Sequence, residues 1–264
     1  MVEVYLDESG IHDGAKICVI AGYVGTQGKL RRLEAAWKRV LKRHSVKLED
    51  FHAKDFIKKT KYGPLLKELA RAIASQHRVI PISAGVIIDD FNALSLQERR
   101  FLTGGTLGGK SGKVFTSGCP NKPYFIPFQQ VVKLGTSYAP PGGKAHFSFG
   151  INNQFSGYAV ALFRQIEEQK KLLTSTWKTR DRLGSLQFPL AAEAAQLQAA
   201  DLFAHLTYLH MDSYMRQVKP SALVADLLPQ CLWYGKNNEQ TYHNKETLAA
   251  FLDQGQKLVP NWKR

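Results

Sequence analysis

Apolar stretches at the start of the chain predict two neighbouring strands. Residues 2–6 alternate between apolar and polar side chains and stop at Asp7, whereas residues 17–24 are apolar almost throughout. Alternation is typical of a strand with one face in a core, and a continuous apolar stretch is typical of a strand buried on both faces. The short connection contains Asp13-Gly14, which favours a hairpin between the two strands.

Beyond the hairpin, apolar positions recur with helical spacing, and short apolar stretches return between the helices. The pattern predicts helices at residues 30–43, 64–73, 124–137, 155–166, 193–210 and 245–252. It predicts further strands at residues 78–88, 146–149 and 186–188. Alternating strands and helices indicate an α/β layered fold, and the hairpin makes the sheet mixed rather than purely parallel. We therefore expect a mixed five-stranded sheet flanked by helices.

A single domain over residues 1–264 is expected, because the chain contains no internal repeat. Three segments are additions to the alternating strands and helices. They are a basic helical insertion after the first hairpin (29–78), a flexible Gly-rich loop (103–122) and a C-terminal extension (211–264).

The Gly-rich loop contains a match to the phosphate-loop pattern G-x-x-x-x-G-K-S at residues 104–111. That motif requires a strand before it and a helix after it, so that backbone N–H groups face the phosphates. Residues 97–100 are not an apolar strand, and Gly112, Gly118 and Pro120 cannot sustain a helix. We therefore expect a basic loop here rather than an ATPase site.

Positive charge is abundant and localised. The chain has 36 Lys and Arg residues against 22 Asp and Glu, a formal net charge of +14, and residues 29–78 carry 15 of the cations against five acids. Such a balance is typical of proteins that bind polyanions, and no basic segment has the exposed aromatic face that membrane binding needs. Nucleic acid is the expected partner. The residues proposed to bind it are Lys38, Arg39, Lys42, Arg43 and Lys54.

The cellular compartment is predicted from three features that the sequence does not show: a membrane span, a signal peptide and a disulfide pattern. No run of 18 apolar residues is present, and acidic residues follow Met1 where a signal peptide would be basic and then apolar. Three distant cysteines without Cys-x-x-Cys spacing indicate neither a disulfide framework nor a zinc site. We expect a cytoplasmic protein.

Acidic residues at the end of the first strand are candidates for chemistry. Asp7, Glu8 and Ser9 stand where the strand's side chains reach solvent, and carboxylates there can hold Mg²⁺ together with a substrate phosphate. An ordinary acidic turn is the alternative.

The helix at residues 193–210 carries a second acidic group. Glu193, Asp201 and His205 fall on one face, since they are separated by multiples of four residues. Asp201 lies within a small, apolar stretch, where a buried acid is costly unless it is paired or bound to a metal. A structural salt bridge is the alternative for Asp201, and His205 is better explained as a core histidine.

A third polar group lies between two aromatic residues. His52 and Lys54 stand in the segment Phe51-His52-Ala53-Lys54-Asp55-Phe56. Contact with a substrate or proton transfer by His52 and a plain surface turn are equally good explanations.

Together, three segments resemble the bacterial DUF family 3800, whose members look like RNase H-fold proteins. The segments are Tyr5-Leu6-Asp7-Glu8-Ser9-Gly10, Phe51-His52-Ala53-Lys54-Asp55-Phe56 and Leu197-Gln198-Ala199-Ala200-Asp201-Leu202. The resemblance spans about residues 2–210. It implies an RNase H-like fold in which two metal ions lie between carboxylates of strand one, strand four and the last helix.

Applied to this chain, the resemblance makes Asp7 and Asp201 ligands of Mg²⁺ or Mn²⁺ and Glu193 a further ligand or water-orienting base. The expected fourth strand ends without a carboxylate. Either Asn152 or Asn153 supplies a weaker, neutral oxygen there, or Glu193 substitutes for the missing acid. Otherwise the site holds one metal ion or none. Glu8, Ser9, Asn152 and His205 are further candidates.

Three functions remain open at this point. The first is a metal-dependent nuclease or phosphodiesterase that hydrolyses RNA or DNA, with His52 and Lys54 beside the scissile phosphate. The second is a non-catalytic nucleic-acid-binding or complex-forming protein on a degenerate RNase H-like scaffold. The third is a protein–protein module, such as a toxin or bacterial defence component, that binds a partner or its own copy through the Gly-rich loop or Trp233-Tyr234.

Overall fold

The structure is a computed structural model that describes residues 1–76, 79–108, 113–115, 119–168, 177–190, 192, 194–232 and 239–258. Its strands are β1 (Val2–Ser9), β2 (Ile17–Gly25), β3 (Ile80–Ile87), β4 (Thr106–Gly108), β5 (Lys113–Phe115), β6 (Ala145–Phe149), β7 (Leu183–Gln187) and β8 (Glu239–His243). Its helices are α1 (Gln27–Arg43), α2 (Ala53–Ile57), α3 (Gly63–Ala74), α4 (Ile88–Asn92), α5 (Leu96–Gly104), α6 (Phe125–Ser137), α7 (Ser156–Glu167), α8 (Ala195–Met215), α9 (Ala222–Leu232) and α10 (Lys245–Leu258).

Six strands form one mixed sheet in the order β7-β6-β1-β2-β3-β8. The strands β1, β2 and β3 are antiparallel neighbours, while β6 runs parallel to β1, β7 to β6 and β8 to β3. The α/β class and the mixed sheet are confirmed, but the expected number of five strands is wrong. The sixth strand, β8, has mostly polar residues, so it lacks the apolar pattern that marks a strand in sequence.

The helices between β2 and β3 cover one face of the sheet together with α8 and α9. Leu33 and Trp37 of α1, Leu66 of α3 and Phe203 of α8 are completely or almost completely buried there. The Trp37 indole Nε1 donates a hydrogen bond to Gln198 Oε1 at 3.0 Å. The segment expected to be a basic insertion therefore contributes its apolar side to the hydrophobic core on this face of the sheet.

The opposite face of the sheet is covered by α6, α7 and α10. Their buried side chains include Phe128, Phe163 and Leu248, which share a core with Val4 and Leu6 of β1. The C-terminal segment thus contributes to both faces, because α9 packs on one and α10 on the other. No helix within the described ranges is both long enough and apolar enough to cross a lipid bilayer.

The Gly-rich segment at 103–122 is only partly a loop. Residues Thr103 and Gly104 end α5, and β4 pairs with β5 in an antiparallel hairpin. The expectation of a loop throughout is wrong for these residues, while residues 109–112 and 116–118 lie outside the described part of the chain. The phosphate-loop match begins at the end of a helix instead of after a strand, so its context is absent, as expected from the sequence.

Candidate carboxylate site

Asp7 lies within β1, on the face of the sheet that packs against α8. It stands opposite Ala21 of β2, whose side chain belongs to the core beneath α8. The Asp7 Oδ1 atom accepts a hydrogen bond from the Glu8 backbone N–H at 2.9 Å. A Cβ atom at Gly150 would come within 2.5 Å of the same oxygen. The glycine after β6 therefore provides the space that the Asp7 carboxylate occupies.

Asp201 comes to the same place from α8. The residue is 8% exposed, and its Oδ2 accepts a hydrogen bond from the Ala53 backbone N–H at 2.8 Å. That N–H belongs to the first turn of α2, where helices leave their backbone donors unsatisfied. The His52 Nδ1 atom lies 3.8 Å from the same carboxylate oxygen. Asp201 therefore links α8 to the start of α2.

The carboxylates are held in an environment that disfavours their charge. Burial, followed by the charges of Glu8 and Asp201, raises the pKa of Asp7 well above its usual value. Burial also raises the pKa of Asp201, although His52 and the Ala53 N–H act in the opposite direction. Among the described residues, no Lys or Arg side chain forms an ion pair with Asp7 or Glu8. The strand therefore carries acids whose charge is not compensated by a neighbouring side chain.

Glu8 faces the other side of the sheet. It stands opposite Ile20, which belongs to the core beneath α6 and α7. The Asn152 Nδ2 atom donates a hydrogen bond to Glu8 Oε1 at 2.7 Å, and the buried Glu8 Oε2 has no hydrogen-bond partner among the described residues. Burial raises the pKa of Glu8 to about 7. Asn152 thus presents its amide nitrogen to Glu8, and its Oδ1 accepts from the Gln154 N–H.

Ser9 lies two residues after Asp7 on the same face of β1, and His205 lies one helical turn after Asp201 on α8. The Ser9 Oγ and the His205 Nδ1 are 3.2 Å apart, which is a hydrogen-bond distance. Burial, with smaller effects of His52 and of Lys54, lowers the pKa of His205 to about 4. His205 is therefore neutral at pH 7.

The cations predicted to bind nucleic acid fall into two groups. Lys54 is exposed on α2 at the carboxylates, near enough for its charge to lower the pKa of His205, and Lys58 has the same effect. The His52 side chain is 62% exposed beside them. The second group, Lys38, Arg39, Lys42 and Arg43, is exposed on α1.

Two cations of the α1 group are ion-paired. The Lys38 Nζ lies 2.5 Å from Glu34 Oε1, and the Arg43 Nη1 lies 2.5 Å from Glu68 Oε2 on α3. The Arg39 Nε donates to the Ala35 carbonyl oxygen at 3.3 Å. These contacts leave the face strongly basic, because Lys42 and Arg39 remain exposed with no acid beside them in the described ion pairs.

The donor chemistry of the site suits a hard divalent cation. In the described part of the chain, no three His, Cys, Asp or Glu side chains are grouped so that they could hold a metal ion by themselves, and Glu193 lies outside it. Mg²⁺ does not need such a group, since it is commonly bound by one or two carboxylates, water and substrate phosphates. Asp7 and Asp201, neither of which forms an ion pair with Lys or Arg among the described residues, fit that donor set.

Two further residues shape the site, and sequence analysis did not select them. Gly150 adjoins the Asp7 carboxylate, and Tyr124 is buried near Glu8 with a hydroxyl that lacks a partner among the described residues. A glycine directly after an apolar strand is a signal that could have selected Gly150. Tyr124 has no such signal, because it is one of several aromatic residues at the start of α6.

Comparison with known proteins finds no matching family model, no matching curated protein and no matching solved structure. The functional argument therefore depends on the geometry and the chemistry of the site.

Proposed function

We propose that the protein is a divalent-metal-dependent nuclease that hydrolyses phosphodiester bonds of RNA or DNA at the carboxylate site. The observation that carries the proposal is the meeting of Asp7 from β1 with Asp201 from α8. Both carboxylates have raised pKa values, and the charge of Asp201 contributes to the raised pKa of Asp7. Buried acids without a compensating cation destabilise a fold, so their presence favours a functional role.

The sheet supports an RNase H-like fold within this proposal. Three antiparallel strands are followed by β6 and β7, which extend the sheet from the β1 side in parallel orientation. This arrangement agrees with the RNase H-like fold that the resemblance to DUF family 3800 implies, and β8 is an addition to it. A similar fold does not by itself establish the chemistry, so the proposal depends on the carboxylates.

In the proposed site, Asp7 and Asp201 hold Mg²⁺ or Mn²⁺, and Glu193 is the further candidate ligand. A divalent ion held by these residues would supply an activated water molecule and stabilisation of the charge on the leaving oxygen. Asn152 keeps Glu8 in place, and the Ala53 N–H fixes Asp201. His52 and Lys54 contact the substrate phosphate from the exposed side of the carboxylates.

Cleavage assays test the catalytic part of the proposal. Labelled single- and double-stranded RNA and DNA are incubated with wild type, Asp7→Asn and Asp201→Asn in Mg²⁺, Mn²⁺ or EDTA. We expect metal-dependent cleavage that falls by about a thousandfold or more in either variant. The matched control is Asp50→Asn, which changes an exposed carboxylate in the same way. Equal cleavage by all four proteins would contradict the assignment of the site.

Binding assays test the basic face separately. Replacing Arg39, Lys42 and Arg43 with Gln is expected to weaken binding and to lower the slope of log affinity against log salt by about three, one for each lost phosphate contact. The measurement is fluorescence anisotropy in EDTA at several salt concentrations. An unchanged slope would show that nucleic acid binds elsewhere.

A non-catalytic nucleic-acid-binding protein is the second candidate function. It is favoured by the end of β6, where Gly150-Ile151-Asn152-Asn153 supplies no carboxylate. Under this alternative, wild type and Asp7→Asn bind the same strands with equal affinity, and neither cleaves them in any metal. The two assays together therefore separate the two candidates.

A further inference from the structure

A polar pocket lies on the Glu8 side of the sheet, outside the carboxylate site. It has a volume of about 360 Å³ and is formed by the β1–β2 turn, α5 and the chain segments that precede α6 and α7. Its lining includes Asp13, Arg99, Lys122, Tyr124, Gln154 and Phe155. Gln154 of the pocket wall donates its backbone N–H to Asn152 Oδ1 at 2.9 Å, and Asn152 Nδ2 donates to Glu8 Oε1 at 2.7 Å. The pocket therefore adjoins Glu8, which follows Asp7 in β1.

Two polar groups of the pocket wall are buried without a partner. Tyr124 is 1% exposed, and its hydroxyl forms no hydrogen bond with any described residue. The Arg99 Nε is also buried and forms none. Leaving such groups unsatisfied is costly, and buried polar atoms in proteins are almost always hydrogen-bonded. Because both groups belong to the wall of one pocket, a ligand that accepts hydrogen bonds would satisfy them together.

The charges in the pocket indicate what kind of ligand this is. Arg99 and Lys122 bring two cations, and the hydroxyl of Tyr124 can donate a hydrogen bond. The acid among the lining residues, Asp13, is exposed in the hairpin turn. The lining residues thus hold two cations against one exposed acid, and a guanidinium group with further donors is the combination that binds phosphate oxygens.

The floor of the pocket is rigid. The rings of Tyr124 and Phe155 are stacked with their centroids 4.3 Å apart and their planes 8° from parallel. Both rings are buried in the core beneath α6 and α7. The hydroxyl of Tyr124 is thus held in place before any ligand binds, which reduces the entropic cost of binding.

We propose that this pocket binds a phosphate group of the nucleic acid strand whose scissile bond lies at the carboxylates. Arg99 and the Tyr124 hydroxyl donate to the phosphate oxygens, and Lys122 adds charge at the entrance. This inference rests on the proposed function, since it assigns one more contact to the same substrate. The phosphate is either the 5′-terminal phosphate of the strand or an internal one, and the two sources are distinguished below.

The test is equilibrium binding in EDTA, where no cleavage occurs. Single-stranded RNA and DNA carrying a 3′ fluorophore are prepared with a 5′-phosphate and with a 5′-hydroxyl, and anisotropy is measured for each. We expect Tyr124→Phe and Arg99→Gln to weaken binding by about tenfold. Arg100→Gln is the matched control, because Arg100 is the next residue of α5 and does not line the pocket. Its affinity should stay within about twofold of wild type.

The pattern of affinities identifies the phosphate. If wild type prefers the 5′-phosphorylated strand and both pocket variants lose that preference, the pocket binds the terminal phosphate. If wild type binds both strands equally and both variants weaken both, it binds an internal phosphate. Thermal unfolding of Tyr124→Phe provides the folding control. Removing a buried hydroxyl that has no partner in the protein should not lower the melting temperature.

Three results would overturn the inference. They are affinities of Tyr124→Phe and Arg99→Gln that equal the wild-type value, an equal loss in Arg100→Gln, and the absence of strand binding by wild type. The nuclease proposal is judged separately, by the effect of Asp7→Asn on cleavage. Cleavage that depends on Asp7, with unchanged affinity in the pocket variants, would contradict phosphate binding in the pocket and leave the nuclease proposal in place. Weakened binding in the pocket variants without any wild-type cleavage would support phosphate binding in the pocket and contradict the proposed nuclease activity.

Discussion

The carboxylate site and the basic face of α1 are both rich in charged residues, but they differ in whether those residues are exposed and paired with opposite charges. On α1, Lys38 pairs with Glu34 and Arg43 pairs with Glu68, and all four side chains remain at least partly exposed. At the site, Asp7 and Glu8 have no Lys or Arg ion pair among the described residues, and burial raises the pKa of both. One region has opposite charges that are at least partly exposed, and the other has like charges that are partly buried.

The two regions are therefore expected to contribute differently to the free energy of unfolding. Exposed ion pairs contribute little free energy and cost little to form. Like charges that are buried together oppose folding, and protonation or a ligand of opposite charge relieves that cost. We infer that the α1 face could be altered with small effects on the fold, whereas the site preserves a destabilising arrangement. Three changes test this comparison, from the largest expected effect to the smallest.

Asp7→Asn should stabilise the metal-free protein by about 2 kcal/mol at pH 8. The raised pKa of Asp7 means that its ionisation opposes folding at every pH above the pKa of the unfolded chain. The gain should therefore shrink as the pH falls and be small at pH 4, close to the pKa of 3.8 at which the unfolded carboxyl becomes protonated. Urea unfolding in EDTA between pH 4 and pH 8 measures it. A variant less stable than wild type at pH 8 would mean that the Asp7 charge is compensated in the fold.

His243 extends the comparison to a buried base. It is 2% exposed on β8, neither ring nitrogen has a partner among the described residues, and its ring contacts Phe251 of α10 at 5.1 Å between centroids. Burial, followed by the charge of Lys133 on α6, lowers its pKa to about 4. The unfolded chain binds this proton near pH 6.5, so stability is complete above that pH and falls as the pH drops towards 4.

The expected loss from His243 is on the order of 2 kcal/mol between pH 7.5 and pH 5. His243→Phe keeps an aromatic ring in the core and removes the titrating group. Wild type and variant are compared by urea unfolding at both pH values, and the difference between them isolates His243 from all other titrating groups. The same acid sensitivity in both proteins would show that His243 is not its source.

Lys38→Gln should have the smallest effect, a loss of about 0.5 kcal/mol or less. Hydrogen bonding to Lys38 lowers the pKa of Glu34, so the pair contributes above pH 4.5 and is lost as the pH falls below that value. Glu34 also accepts a hydrogen bond from Gln196 on α8, which remains in the variant. The measurement is thermal unfolding at low and high salt. A loss above about 2 kcal/mol would place this face among the structural elements of the fold and would end the contrast with the site.

Much of the architecture could be predicted from local patterns. Alternation in β1, the apolar stretch of β2 and the helical spacing around Trp37 each report which side of an element is buried, because a strand repeats every two residues and a helix every 3.6. The position of Pro64 near the start of α3 followed from its missing N–H. The prediction of five strands was wrong because β8 is an edge strand of mostly polar residues. Such a strand has no apolar pattern and can be assigned only from its pairing with a neighbour, here β3.

For the candidate site, too, some features could be predicted from the sequence and others depend on the tertiary structure. The sequence alone determined that Asp201 lies on a buried helix face, since small apolar residues surround it, and that Asp7 stands where the alternating pattern of the first strand ends. The strand itself continues through Asp7 to Ser9. The tertiary structure alone decided that Asp201 binds the start of α2 and that Glu8 turns to the opposite face from Asp7. It also brought Arg99 and Tyr124 into one pocket. Periodicity along the chain determines which face of an element is buried, but which distant residues meet across that face depends on how the sheet and helices pack.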